Sequence, residues 1–146
     1  KIEPAEQNWL DMEKIAEVEI TSEDADYPIE SALIPGSISG WRAAEPGQQT
    51  IRLLFNTPQQ LRQIGLSFAE AHSERTQEYV LSWSADNGQS FHEIVRQQWN
   101  FSPRGATSDT EVHHVELQNV TVLELIIIPD ISGGDTIASL EQLWLS

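Results

Sequence analysis

The side chains of this 146-residue chain with the most chemical potential fall into a few short groups. Trp99 is flanked by Gln97, Gln98 and Asn100, with Arg96 and Arg104 near in sequence. An indole beside amides and guanidinia suits a ligand with one apolar face and several hydroxyls, such as a pyranose ring. The alternative is a core tryptophan on an edge strand, because Trp99 and Phe101 share parity. His72-Ser73-Glu74-Arg75 is a second polar group, readable as binding residues or as a solvated loop with its own Glu–Arg pair. Trp41 and Arg42 form a third, where the indole either plugs the end of a core or meets ligand.

Other chemistries fit poorly. His113 and His114 are adjacent in a strand-like segment, so they point to opposite faces, and no His-x-His or His-Glu-x-x-His spacing occurs. The serine-rich stretch 36–40 (GSISG) has Ile38 where a nucleophile elbow needs serine. Residues 130–135 (DISGGD) lack the spaced acids and final glutamate of a calcium loop. Cysteine is absent, which removes disulfides, thiolate metal sites and thiol nucleophiles. Carboxylates are plentiful, but nothing in the sequence sets two of them across a hydrolytic cleft. We expect no enzyme, cofactor or metal.

The elements that must position these residues are strands. Residues 79–91 (YVLSWSADNGQSF) alternate, turn through Ala85-Asp86-Asn87-Gly88 and reopen at Phe91, a hairpin signal resting on the tolerance of Asn and Gly for positive φ. Residues 50–55 (TIRLLF) and 61–68 (LRQIGLSF) alternate as half-buried strands, with Asn56-Thr57-Pro58 ending the first. Residues 112–117 (VHHVEL), 122–128 and 137–145 supply further strands, 122–128 being apolar on both faces and hence central. Residues 29–47, 69–78 and 102–110 read as loops. About eight short strands with few helical periods predict an all-β antiparallel sandwich, a jelly roll.

Twenty-three acidic residues against eight basic ones give a charge of −15, a field that repels nucleic acid and anionic lipid. Ten acids and two lysines fall in residues 1–30, leaving that segment at −8. It reads as an acidic lead-in, solvated or offered to a protein partner, with 15–20 (IAEVEI) available as a first strand; residues 31–146 form the domain. No apolar run is long enough to insert in a membrane.

In the succession of Trp41, the alternating strand from Gly47-Gln48-Gln49-Thr50-Ile51, residues 61–68, the strand with its Asp-Asn-Gly turn and aromatic, and the closing strand after Ala138-Ser139-Leu140, the chain resembles the discoidin and galactose-binding-like jelly rolls. The resemblance implies a non-catalytic binding module, often for saccharides, using loops at one end of the sandwich. Carried over residue by residue, those loops contribute His72, Glu74, Arg75, Trp99, Asn100, Arg104, Trp41 and Arg42. It also implies an extracytoplasmic setting, periplasmic or secreted. The runner-up reading is a protein-interaction or structural domain of a larger assembly.

Overall fold

A computed structural model describes residues 9–37 and 39–146; the first eight residues of the acidic lead-in and Ile38 lie outside it. Eight strands carry the fold: β1 (Ala16–Ile20), β2 (Trp41–Pro46), β3 (Gln49–Ala69), β4 (Arg75–Ser84), β5 (His92–Phe101), β6 (Ser108–Ile128), β7 (Ile137–Leu140) and β8 (Gln142–Leu145). Two single-turn helices, α1 (Met12–Ile15) and α2 (Glu30–Leu33), are the other elements among the described residues. All pairings are antiparallel, in the order β1-β3-β6-β4-β5 with β8 also on β3, and β2 with β7 forms a separate ribbon.

The two longest strands make the sandwich. β3 pairs with β6 along almost its whole length, and the register shifts between Leu54 and Gln63, around Asn56-Thr57-Pro58. The first half of β3 faces Val122 to Ile127 of β6, and its second half faces Ser108 to Leu117. Tyr79 of β4 lies opposite Ile127, yet its Oη is hydrogen-bonded to His113 Nε2 at 2.7 Å. Along a straight strand those two β6 positions would be roughly 45 Å apart. The paired strands therefore fold back on themselves, and β8-β3-β6 lies over β1-β3-β6-β4-β5.

Between the layers the alternating side chains meet as period 2 requires. Ile51, Leu53, Leu61, Ile64, Leu66, Phe68, Tyr79, Leu81, Leu123, Leu125, Leu143 and Leu145 are all buried in one core, and Phe68 stacks on Tyr79 at 5.4 Å. Met12 and Ile29 belong to the same core, so the described part of residues 1–30 contributes to the sandwich while most of its acids stay exposed, and 15–20 supplies β1 from Ala16.

Folding back gives the molecule two unlike ends. At one end lie the 85–91 turn, the bends of β3 and β6, and Ser146. Asn87 and Gly88 take positive φ there (61° and 90°), as the turn requires. Asp86 is held by Ser84 Oγ and Ser90 Oγ, each at 2.6 Å, and its carboxyl is pushed down to about 2 by the Ser84 bond first and the Ser90 bonds next. At the other end are the connections 70–74, 102–107 and 129–136, with the segment after β1 beside them.

Four expected segments differ in the structure. Residues 29–47, read as one loop, contain α2 and β2, and 137–145 divides at Glu141 into β7 and β8. The loops read as 69–78 and 102–110 are shorter, because β4 opens at Arg75 and β6 at Ser108.

Candidate functional site

At the loop end lies a cleft of about 1010 Å³. One wall is the segment after β1. The Asp24 amide donates to the Arg42 carbonyl at 2.9 Å, and the Arg42 amide donates to the Tyr27 carbonyl at 3.1 Å, a short ladder that fixes 24–27 against β2. Ser22 Oγ accepts from the Ala44 amide at 3.0 Å and donates to buried Gln49 at 2.7 Å. From this wall Glu23, Asp24 and Arg42 reach the cleft, Arg42 with its guanidinium 4.3 Å from the centre of the Tyr27 ring.

The opposite wall is the connection 70–73. Glu70 accepts the His72 and Ser73 amides at 3.0 and 3.2 Å and the Arg75 guanidinium at 2.9 Å. Burial would raise the Glu70 carboxyl, but the His72 amide, the Arg75 bond and charge and the Ser73 amide together hold it below the ordinary value. The loop is thus preset around an ionised carboxylate and presents exposed His72. Asp135, Thr136 and Ser139 close the cleft from β7 and the turn before it. The lining therefore offers carboxylates, hydroxyls, one guanidinium and one imidazole.

A smaller hollow of about 440 Å³ lies beyond the Glu70–Arg75 pair, between Glu74, Thr76, Asn100, Ser102, Asp130 and Ser132. Thr76 Oγ1 donates to Asn100 Oδ1 at 2.6 Å, and Ser132 Oγ to Asp130 Oδ1 at 2.8 Å. Among the described residues, no three His, Asp or Glu side chains are grouped to hold a metal ion.

No protein-family model matches the sequence, and no curated protein matches it. Solved structures do match. A family 32 carbohydrate-binding module of C. perfringens NanJ, in complex with galactose, aligns with TM-score 0.67 at 14% identity over 94% of this chain and 96% of that one. The CBM32-5 module of CpGH89 from Clostridium perfringens, in complex with GalNAc-β-1,3-galactose, gives 0.66 at 19% over 94% and 99%. CBM32-3 from a family 31 glycoside hydrolase of the same organism gives 0.68 at 18% over 99% and 98%.

The fold is the galactose-binding-like jelly roll.

Within this galactose-binding-like sandwich the eight residues singled out in the sequence do not share one patch. Arg42 and His72 line the large cleft; Glu74 and Asn100 line the smaller hollow. Arg75 also borders the smaller hollow, but its side chain is 1% exposed and is spent on Glu70, on the Pro129 carbonyl at 2.7 Å and on the Phe101 ring. It pairs with Glu70, not with its neighbour Glu74, because Glu70 closes the loop from the end of β3. Trp41 is 1% exposed and donates its indole N–H to the Ser22 carbonyl at 3.2 Å, which makes it a core plug. Trp99 is half-buried against the core on β5, opposite Gln77, and Arg104 is exposed and lines neither hollow. Glu23, Asp24, Glu70 and Asp135 were not singled out. Glu23 and Asp24 were hidden in an acidic run that reads as solvated, and Asp135 in a turn.

Proposed function

We propose that the chain is a non-catalytic carbohydrate-binding module that takes a neutral saccharide in the cleft between Arg42 and His72. The observation that carries this is the cleft itself: a concave site at the loop end, lined by hydrogen-bonding side chains that are fixed by backbone ladders before any ligand arrives. Sugar hydroxyls both donate and accept, so carboxylates and Ser139 on one side and Arg42 on the other suit them. Among the described residues, Glu23, Asp24 and Asp135 against Arg42, with Glu70 already paired to Arg75, make the cleft unfavourable for anionic sugars. Support also comes from the bound ligands of the solved neighbours, galactose and GalNAc-β-1,3-galactose. Described residues 9–30 contribute β1, Met12 and Ile29 to the sandwich, so they are part of the domain that carries the cleft. It places the module outside the cytoplasm, where polysaccharide is met.

A glycan screen followed by calorimetric titration of the best neutral ligand tests it. Arg42→Ala is expected to weaken binding by roughly tenfold or more, the scale of one lost hydrogen bond to a charged group, and His72→Ala to weaken it as well. Binding untouched by both substitutions would remove the cleft as the site.

A further inference from the structure

The outward face of the β8-β3-β6 layer carries an aromatic pair that the core does not use. In β8, Leu143 and Leu145 are buried, so strand parity turns Trp144 outward. Trp144 lies over its cross-strand neighbour Gly65, where a Cβ would run into the indole. Trp9 stacks on Trp144 with ring centroids 5.3 Å apart and planes 25° apart. Both rings are half-buried, and beside them is a hollow of about 380 Å³.

Beside the indoles, on the same sheet face and lining the same hollow, is a polar row. Ser67 Oγ donates to Glu141 Oε1 at 3.3 Å and lies 3.1 Å from Thr110 Oγ1, so the three oxygens form a chain with Thr110 donating. Gln142 Nε2 donates to the Ile34 and Ser37 carbonyls and fixes the remaining wall. A pyranose has an apolar C–H face and a rim of hydroxyls, and this hollow offers an aromatic surface beside a preset hydroxyl–carboxylate row. Among the described residues, its lining carries a carboxylate and no cation, which disfavours an anionic sugar.

We propose that the hollow between the Trp9–Trp144 pair and Ser67-Thr110-Glu141 is a second saccharide site, on the sheet face and separate from the loop-end cleft. The test uses the full chain, labelled with ¹⁵N, titrated into the millimolar range with galactose, N-acetylgalactosamine and cellotetraose. The expected result is a saturable shift of the Trp9 and Trp144 indole N–H signals with at least one probe, retained in Arg42→Ala. Thr110 is exposed on the outer face, so Thr110→Arg fills the hollow without touching the core and should weaken that binding about tenfold or more. Indole signals that stay still with all three sugars, or shifts unchanged by Thr110→Arg, would overturn the proposal and leave the tryptophans as an anchor for the chain before β1. Indole shifts with silent loop-end amides would sink the cleft reading alone, and the converse would sink this one alone.

Discussion

Arg75 and Arg42 are both arginines near the loop end, and the difference between them is burial. Arg75 is enclosed, with Glu70, Gln77 and the Pro129 carbonyl as partners. Removing it strands the Glu70 carboxylate and an interior carbonyl, so Arg75→Ala should lower stability by about 3 kcal/mol in urea denaturation, and Lys should not restore it. Arg42 is exposed over Tyr27, and its replacement should leave the denaturation midpoint nearly unchanged while weakening ligand. A second buried group carries a pH signature. Asp109 is pushed up to about 7, by burial first and by the hydrogen bond and charge of Glu111 next. Because the folded state then holds the proton more tightly than the unfolded chain, this group costs stability as pH rises from about 4 to about 7. Asp109→Asn lacks that loss, so its melting temperature relative to wild type should climb across the same window; a constant difference would show that the proton is not held there.

At the scale of elements, the readable features were those with local causes. The alternation in 79–84 and the Asp-Asn-Gly turn gave β4 and its link to β5, since period 2 and positive φ are written in neighbouring residues. Gly88→Ala, at φ 90°, should cost about 1 kcal/mol or more by the same measurement. The bends in β3 and β6 were not readable. Asn56-Thr57-Pro58 looks like a strand end, but the tertiary pairing carries β3 through it and across to the second layer. β2 was missed because Gly, Ser and Pro surround it and its Ala43-Ala44 carry little pattern. Gly65 is the reverse case: a glycine inside an alternating strand whose purpose appears only when Trp144 is seen above it. Gly65→Ala should displace that indole and cost about 1–3 kcal/mol, visible as a changed near-ultraviolet circular dichroism signal.

For the molecule as a whole, the bent strands separate a fastened end, with the Asp86 turn and the bends, from an end made of four connecting segments. The loop residues were legible by composition, but their grouping was not. Arg42 and His72 are thirty positions apart and meet only because β2 pairs with β7 beside the end of β3, while Trp99, equally suggestive in sequence, is turned toward the core by the parity of β5. The central claim is that the concave surface around Arg42 and His72 receives a neutral sugar. Backbone amide shift mapping during titration with a bound neutral saccharide tests this most directly. Perturbations are expected to concentrate at 23–26, 42–44, 70–73 and 135–139; perturbations confined to the 85–91 turn and the bends of β3 and β6 would contradict a sugar site in the cleft.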